Sequence, residues 1–394
     1  MVYWSGMKLR SLRSVSVRGK RVLVRAELNV ARNASGRITD DSRLKAVVPT
    51  IAWLRKRGAR VVIATHLGRP DGKVVKSMST RTLVRPLVRA LRTKVKFVDQ
   101  SAGMKAVAAS KELKNGNVLL LENVRFNPGE EKDDASYAHA LSLLADIFVL
   151  ECFGTAHRKH ASVVGVGRYL PSYAGFEFEE EVRVLSKVLE HPKRPLVAIL
   201  GGAKISTKIT LIGTLLKRVD ALLLGGALAN TILKAKGIQI GASMNEPDMV
   251  RLVRVLDLTD TRLHIPVDVM VSSPNSKPCV RAVGAVQSRE SILDIGPDTV
   301  ELFSRVIKGA KTIIWNGPMG KFEQRPFDRG TKLIAKSVGV ARAYTVAGGG
   351  ETVEALDKMR TSREIDFIST GGGAMVEFLE GRHLPGVELV RDFR

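Results

Sequence analysis

Residues 176–195, FEFEEEVRVLSKVLEHPKRP, separate two parts of the chain that carry different chemistry. Before this stretch no two glycines are adjacent and arginines follow the hydrophobic runs, whereas after it pairs and triplets of glycine follow them. The stretch opens with glutamates, spaces its apolar residues at helical intervals and ends at two prolines, which predicts one helix. An ordinary surface helix would show the same periodicity. The change in chemistry across it is what indicates a helix that joins two lobes.

Strands and helices alternate on both sides of this helix. The strand candidates are rich in Val, Ile and Leu, as expected of parallel strands covered on both faces; they are 21–26, 61–65, 95–98, 118–122, 147–151, 196–200, 221–224, 263–271, 312–315, 344–347 and 367–369. The helix candidates between them include 41–57, 79–91, 133–145, 206–217, 227–236, 248–256 and 374–379. This order predicts the α/β class. We expect a first lobe at 1–175, the helix and hinge at 176–195, a second lobe at 196–379, and a tail at 380–394 that packs back on the first lobe.

The composition is that of a water-soluble protein with two domains. A chain of 394 residues exceeds the size of one compact core, and a hydrophobic content of 44% is ordinary. No apolar run is long enough to span a bilayer, and the basic N-terminal stretch lacks the apolar core of a signal peptide. The two cysteines, Cys152 and Cys279, are too few for a four-thiolate metal site. We therefore expect a cytoplasmic protein.

The formal charge of +24 raises the alternative of a nucleic-acid-binding protein. The basic residues are spread over several helices, aromatic residues make up only 5% of the chain, and no zinc finger, basic zipper or RNA-stacking motif is present. We therefore interpret most of the charge as solvated surface. The alternative would show steeply salt-dependent binding to DNA or RNA.

Cationic side chains follow the predicted strands of the first half. In open parallel sheets, ligands bind beyond the carboxyl ends of the strands, and the side chains expected there are Arg25, Arg43, His66, Arg69, Arg125, His157, Arg158 and His160. A guanidinium group matches the oxygen atoms of phosphate and carboxylate. Any one of these arginines alone would be interpreted as part of a structural salt bridge. Their recurrence at strand ends predicts a pocket for a small, highly anionic ligand.

Glycine runs follow the predicted strands of the second half. Glycine allows backbone N–H groups to approach a phosphate closely, and a following helix adds its positive end. The run LGGAKISTK is predicted to place Lys204 and Lys208 one helical turn apart, and in AGGGET Glu351 stands at a helix start, where it can hold magnesium. Glu323 can accept hydrogen bonds from ribose hydroxyls. The spacings fit neither a Walker A loop nor GxGxxG, which disfavours a nicotinamide dehydrogenase, and together the runs indicate a nucleotide site.

Eight motifs of the chain occur in the order of one known family and cover nearly the whole sequence. They are RAELNV, HLGRP, ENVRF, FGTAHR, GGAKISTK, WNGPMGKFE, GGGET and STGGGA. With these motifs the chain resembles phosphoglycerate kinase. The resemblance implies two doubly wound, Rossmann-like lobes with parallel sheets joined by a hinge helix. It also implies a phosphotransferase of glycolysis and gluconeogenesis that moves a phosphoryl group between 1,3-bisphosphoglycerate and MgADP, giving 3-phosphoglycerate and MgATP.

The resemblance also assigns roles to residues at the matching positions. The residues implied to lie at 3-phosphoglycerate are Arg25, Glu27, Asn29, Arg43, His66, Arg69, Arg125 and Arg158. Those implied at ADP or ATP are Lys208, Asn316, Glu323, Gly349, Gly350, Glu351 and Thr352, with Glu351 also at the Mg²⁺ ion. For neutralising charge during transfer, our candidates are Arg43, Lys204 and the backbone amides of Gly372 and Gly373. A monomer is implied, with no membrane and no specific nucleic acid as partner.

The chain departs from the family's usual pattern in four places, three single residues and one run of three residues. Glu27 and Glu351 stand where Asp is common, and Thr207 also replaces a common Asp. Leu150-Glu151-Cys152 stands where Asn-Asp-Ala is usual. An added methylene group moves a carboxylate, so these departures affect the roles of single residues rather than the expected reaction.

Overall fold

The computed structural model describes residues 7–33, 35–274 and 276–393. The chain forms two compact units. The N-terminal unit runs to Arg183 and includes the tail from His383, and the C-terminal unit is Val184–Arg382. Residues 1–6 of the expected first lobe and residue 394 of the expected tail lie outside the described residues. No helix within the described residues is both long and apolar enough to cross a membrane.

The N-terminal unit is built around a six-stranded parallel sheet with the strand order β4-β5-β3-β2-β6-β7. The first seven strands of the chain are β1 (Lys8–Leu9), β2 (Arg21–Ala26), β3 (Arg60–Ala64), β4 (Val95–Phe97), β5 (Val118–Leu120), β6 (Ile147–Glu151) and β7 (Ser172–Ala174). The first four α-helices are α1 (Ser42–Lys56), α2 (Val84–Leu91), α3 (Met104–Lys111) and α4 (Ala135–Ser142). The chain order reverses between β2 and β6, and ligands of open parallel sheets bind at such switch points.

Burial explains why the hydrophobic runs form the central strands. Val22, Val24, Val61 and Ile63 on β2 and β3 are essentially inaccessible and belong to the core on which α1 and α2 pack. Because β2, β3 and β6 are covered on both faces, each contains consecutive apolar residues rather than an alternating pattern.

The helix α5 (Phe176–Glu190) forms where the opening stretch predicts it. Glu177 and Glu179 lie in its first turn, where negative charge is favoured by the helix dipole. The ring of Phe178 packs edge-on against Phe153 with centroids 5.7 Å apart. The division between the two units falls inside this helix, between Arg183 and Val184.

The C-terminal unit contains a second six-stranded parallel sheet, with the order β10-β9-β8-β14-β15-β16, and an antiparallel sheet with the order β12-β11-β13. Its strands are β8 (Leu196–Leu200), β9 (Ala221–Leu224), β10 (Leu263–His264), β11 (Asp268–Ser272), β12 (Cys279–Ala282), β13 (Ser291–Ile295), β14 (Thr312–Asn316), β15 (Tyr344–Gly348) and β16 (Phe367–Ser369). Its helices are α6 (Ile209–Leu216), α7 (Gly226–Ala235), α8 (Val250–Val253), α9 (Pro297–Gly309), α10 (Arg329–Gly339), α11 (Gly350–Met359) and α12 (Gly373–Leu379). The chain order of the parallel sheet reverses between β8 and β14.

One predicted strand of this unit is wrong. Residues 263–271 form two strands: β10 pairs with β9 in the parallel sheet, and β11 belongs to the antiparallel sheet. Pro266 lies between them. Because proline has no N–H group to donate to a neighbouring strand, the run cannot continue as one central strand.

The tail of the chain belongs to the N-terminal unit. It consists of α13 (Pro385–Val390) and β17 (Arg391–Asp392), and β17 pairs antiparallel with β1. The amide of Gly386 donates to the carbonyl oxygen of Ala156 at 2.8 Å. A side chain at this glycine would crowd Ala156 and Leu150, so the tail is closely packed.

Candidate active site

Arginine and histidine side chains of the N-terminal unit lie beyond four neighbouring strands. Arg25 lies near the end of β2, His66 follows β3, Arg125 follows β5 and Arg158 follows β6. These four strands are adjacent and parallel in the sheet, so their carboxyl ends share one edge. We call Arg25, Arg43, His66, Arg69, Arg125 and Arg158 the cationic edge.

Arg25, which the resemblance implies to lie at the substrate, is completely buried. Its Nε donates to Oγ of Ser162 at 2.8 Å, and its Nη2 lies 3.1 Å from Nδ1 of His66. The Ser162 hydroxyl in turn donates to the buried carboxyl group of Glu130 at 2.5 Å. Arg25 is therefore placed to fix His66 from within the protein.

Three histidines of this region have a lowered pKa. Burial, followed by the charge of Arg25, holds the pKa of His66 well below its usual value. Burial lowers the pKa of His160 to about 3 and that of His157 to about 4, with smaller effects from nearby arginines. These side chains are therefore neutral near pH 7, and the positive charge of the edge comes from its guanidinium groups.

Arg43, in the first turn of α1, is anchored to the segment that follows β2. Its Nη1 donates to the carbonyl oxygen of Asn29 at 2.6 Å and lies 3.6 Å from Oε1 of Glu27. The side-chain oxygen of Asn29 accepts the amide of Gly68 at 2.9 Å, which connects the segments after β2 and β3. Arg43 is only partly buried, so its guanidinium group can reach a ligand.

The remaining arginines of the cationic edge differ in how firmly their side chains are held and in how exposed they are. Arg125 Nη1 donates to the carbonyl oxygen of Gly68 at 3.0 Å, and its Nε lies 2.9 Å from Glu131. Arg69 and Arg158 are exposed. The cationic edge therefore combines arginines that are fixed by hydrogen bonds with arginines that face solvent. An anionic ligand arriving from solvent can contact the exposed ones first.

A cavity of about 600 Å³ lies in the C-terminal unit at the switch point of its parallel sheet. We call it the glycine cavity; its lining includes Ser206, Thr207, Lys208, Thr210, Asn316, Gly317, Gly349, Gly350, Glu351, Thr352, Gly372 and Gly373. Lys208 Nζ donates to the carbonyl oxygens of Gly201 at 2.7 Å and Asn316 at 3.2 Å. It therefore bridges the ends of β8 and β14. Burial lowers the pKa of Lys208 to about 8, against a smaller opposing effect of Glu351.

Hydrogen bonds hold the start of α11 against the end of β14. Asn316 Nδ2 donates to the carbonyl oxygen of Gly348 at 2.8 Å, and the amide of Gly317 donates to Oγ1 of Thr352 at 2.6 Å. Gly349 has φ +99°, and a methyl group there would lie 2.7 Å from Asn316 Nδ2. Only glycine satisfies both limits, so the N-terminus of α11 can open directly into the cavity.

The predicted helical spacing of Lys204 and Lys208 is wrong. Helix α6 begins at Ile209, so neither lysine lies within it. Residues 206–208 form a turn before α6, and Ser206 in this turn donates through its amide and hydroxyl to Glu246. Consequently Lys208 lines the glycine cavity, whereas Lys204 is exposed and is not among the lining residues.

A second cavity of about 610 Å³ adjoins Glu351 and has a mainly apolar wall. We call it the apolar cavity; its lining includes Gly226, Ala227, Met244, Val269, Ile292, Pro318, Met319, Phe322 and Glu323. Glu323, the predicted ribose acceptor, lines this cavity and not the glycine cavity. Glu351 lines both cavities, so one elongated ligand can occupy the two.

The described residues contain no group of three or more His, Cys, Asp or Glu that could hold a metal ion. Glu351 is nevertheless an exposed carboxyl group in a cavity suited to phosphates. Mg²⁺ at nucleotide sites commonly takes one or two protein carboxylates and completes its shell with phosphates and water. The residues present therefore fit a magnesium ion that binds with a nucleotide.

Comparison with known proteins covers nearly the whole chain. A family model described as phosphoglycerate kinase matches residues 12–382. The chain belongs to the phosphoglycerate kinase family. The phosphoglycerate kinase of Moorella thermoacetica is 44% identical over 384 residues, which is 96% of this chain and 98% of that protein. That of Roseiflexus castenholzii is 46% identical over 395 residues, covering 98% and 100% of the two chains.

Solved structures of the phosphoglycerate kinase family agree with the fold. The structure of phosphoglycerate kinase from Coxiella burnetii has a TM-score of 0.86 at 39% identity and covers 97% of this chain and 99% of that one. The enzyme from Pyrococcus horikoshii OT3 has the same TM-score at 32% identity, covering 97% and 98% of the two chains. The predicted α/β class with parallel sheets and the predicted family are confirmed.

Membership makes the chain a kinase of glycolysis, a phosphotransferase with a carboxyl group as acceptor. The nucleic-acid-binding alternative finds no support. Sequence reasoning missed Ser162 and Glu130. Neither residue directly follows a predicted strand, and only the fold brings them close to Arg25. Sequence reasoning also missed Lys358, whose Nζ donates to the carbonyl oxygens of Phe322 at 3.1 Å and Glu323 at 3.3 Å.

Proposed function

We propose that this chain catalyses reversible phosphoryl transfer between 1,3-bisphosphoglycerate and MgADP, with 3-phosphoglycerate and MgATP as products. The observation that carries the proposal is a single cavity lined by Lys208, Glu351 and the N-terminus of α11. A cation, a carboxyl group and the backbone amides of a helix N-terminus together suit a magnesium nucleotide.

The anionic substrate binds at the cationic edge. Arg69, Arg125 and Arg158 are suited to the phosphate and carboxylate groups because each presents a planar fork of donors. Neutral His66 and Asn29 add directed hydrogen bonds without further charge. Arg25 contributes indirectly, because its guanidinium group is buried against His66 and Ser162.

The nucleotide spans both cavities of the C-terminal unit. Its phosphates lie in the glycine cavity, against Lys208 and the amides of Gly349, Gly350 and Thr352. Its base enters the apolar cavity, where burial of an uncharged ring is favourable. Glu323 accepts the ribose hydroxyls, and Asn316 keeps the start of α11 in position through Gly348.

Magnesium binds together with the nucleotide, and Glu351 is the protein carboxylate that holds it. When bound, the ion neutralises charge on the phosphate oxygens. The longer reach of Glu, compared with the Asp common in the family, agrees with a carboxyl group that lines both cavities.

The chemistry is positioning and charge neutralisation, because the attacking carboxylate or ADP oxygen is already ionised and needs no general base. Arg43 from the N-terminal unit and Lys204 from the C-terminal unit neutralise the charge that spreads over the equatorial oxygens, together with the amides of Gly372 and Gly373. In-line transfer requires both substrates to meet with water excluded, which is the proposed purpose of hinge closure. We further infer that the enzyme is cytoplasmic and, as the family resemblance implies, monomeric.

A coupled assay of MgATP consumption that depends on 3-phosphoglycerate tests the proposal. The wild type should be active, and Arg43→Ala and Lys204→Ala should each lower kcat by about 100-fold or more while circular dichroism shows an unchanged fold. Lys45→Ala, on the same helix as Arg43, and Lys217→Ala are controls that should retain activity. Activity that survives both test substitutions would overturn the residue roles, and a folded but inactive wild type would overturn the function.

A further inference from the structure

Cys152 and Glu27 form a buried pair beneath the cationic edge. The thiol of Cys152 lies 2.7 Å from Oε2 of Glu27, and Cys152 is fully inaccessible while Glu27 is 5% exposed. Cys152 directly follows β6 and Glu27 directly follows β2, which are neighbouring strands. The contact therefore ties together the two loops at the switch point of this sheet.

The direction of these hydrogen bonds follows from the chemistry of the thiol. Burial, and then the nearby charge of Glu27, raises the pKa of Cys152 to about 12, so the sulfur keeps its proton. A thiol has one proton, and a carboxylate can only accept. Cys152 therefore donates to Glu27, and the hydroxyl of Thr155, 2.8 Å from the sulfur, donates to Cys152.

The other oxygen of Glu27 faces Arg43. Oε1 lies 3.6 Å from Nη1 of Arg43, whose same nitrogen donates to Asn29. With Oε2 held by the thiol, the carboxyl plane is fixed and Oε1 has a defined position. A chain of contacts thus runs from Thr155 through Cys152 and Glu27 to the guanidinium group of Arg43.

We propose that Cys152 and Glu27 are positioning residues for the transfer reaction: the thiol orients the Glu27 carboxylate, and the carboxylate orients Arg43. The proposal rests on the proposed function for its kinetic consequence and on geometry for the pair itself. Neither residue needs to touch substrate. The Glu27 and Cys152 departures from the usual Asp and Ala are then one coupled change, in which the thiol supplies the donor that the longer carboxylate requires.

Kinetic measurements separate positioning from stability. Cys152→Ala should lower kcat about tenfold with little change in KM for either substrate, the order expected when one hydrogen bond to a charged group is lost. Cys152→Ser should restore kcat to within about threefold, because the hydroxyl donates to the same oxygen. In the Glu27→Gln background, Cys152→Ala should have little further effect, since residues that act in series are not additive. Equal losses in the Ala and Ser variants, or effects that multiply in the double variant, would overturn the proposal.

Infrared spectroscopy tests the pair without any assay of activity. The sequence has two cysteines, so in Cys279→Ser the S–H stretching band belongs to Cys152 alone. The band should lie below that of a free thiol and move to higher frequency in Cys279→Ser/Glu27→Gln. A band at the free-thiol position in the parent would overturn the pair even if the enzyme is active. A shifted band in an inactive protein would keep the pair and reject the proposed function.

Discussion

The Nη2 atom of Arg25 lies 3.1 Å from Nδ1 of His66, and this contact determines which ring nitrogen of His66 carries the proton. A guanidinium group can only donate, so Nδ1 accepts and the proton of the neutral ring is on Nε2. Because burial and the neighbouring arginines hold the pKa of His66 well below its usual value, the ring stays in this form. His66 therefore offers an uncharged N–H donor.

The first prediction concerns the pH dependence of substrate binding. His66→Gln should keep the affinity for 3-phosphoglycerate within about tenfold, because the amide supplies an uncharged donor, whereas His66→Phe should lose more. Titration calorimetry from pH 5.5 to 8 should give parallel curves for wild type and His66→Gln. If the wild type gained affinity below pH 6.5 and His66→Gln did not, His66 would bind as an imidazolium and this interpretation would be wrong.

The second prediction concerns Lys208, whose pKa is lowered to about 8 by burial. Phosphate favours the ammonium form, so the affinity for MgADP should fall as pH rises above 8, by up to about tenfold per pH unit. In the protein without nucleotide the sign is opposite: the free energy of unfolding gains from Lys208 as pH rises from 8 to about 10.4, because the unfolded chain then binds the extra proton. Lys208→Met should bind weakly and without this slope, and Lys217→Met serves as the control. An equal slope in Lys208→Met would assign the titration to another group.

The fold was predictable wherever burial alone decides it. The runs at β2, β6, β8 and β9 are buried on both faces and consist mainly of apolar residues, so their hydrophobicity identifies them directly. Sequence reasoning failed where tertiary pairing decides. The antiparallel strands β12 and β13 are short and partly exposed, and they are stabilised by pairing with β11. Helix α9 was missed although Pro297 at its start and Asp298 in its first turn are the usual signals.

The candidate site was predictable as a set of residue types at strand ends, but not as a network. The rule that ligands bind beyond parallel strands placed His66 and Arg125 at one edge, and it placed the glycine run with Lys208 after a strand of the second half. It could not reveal that Arg25 points inward, because that depends on Ser162, which is 137 positions away in sequence. The roles of individual residues at the edge remain predictions.

The third prediction concerns Lys358, in the last turn of α11. Its ammonium group donates to the carbonyl oxygens of Phe322 and Glu323 and thereby holds the proposed ribose acceptor beside the apolar cavity. Lys358→Met should raise KM for MgATP about 3- to 10-fold and leave kcat within about twofold, because it removes binding that is equal in ground and transition states. Lys336→Met, on the exposed face of α10, is the charge-matched control. A fall in kcat with unchanged KM would place Lys358 in the transfer step instead.

The fourth prediction concerns Gly175 and Glu151. Burial raises the pKa of Glu151 well above its usual value, and a methyl group on Gly175 would lie 1.8 Å from Oε2 of Glu151. Gly175→Ala should therefore lower the free energy of unfolding by about 1–3 kcal/mol, as overpacking does. The measurement is urea denaturation at pH 7. The control is Gly309→Ala, at the end of α9, where an added methyl group meets open space. Gly36→Ala would not serve as a control, because the φ of Gly36 is positive and any side chain there is strained.

A double variant decides whether this cost comes from the Glu151 side chain. In Glu151→Ala/Gly175→Ala the added methyl group occupies space that the carboxyl group has left, so the second substitution should cost much less than it does in the wild type. The contribution of the Glu151 carboxyl group to the free energy of unfolding also changes between pH 5 and pH 8, in a direction that can be predicted. Because the folded pKa of Glu151 is raised, its contribution to stability is present at low pH and is lost as pH rises through the folded pKa. The wild type should therefore lose stability relative to Glu151→Gln between pH 5 and pH 8. Equal costs of Gly175→Ala with and without Glu151 would show that the backbone, and not the carboxyl group, excludes a side chain at position 175.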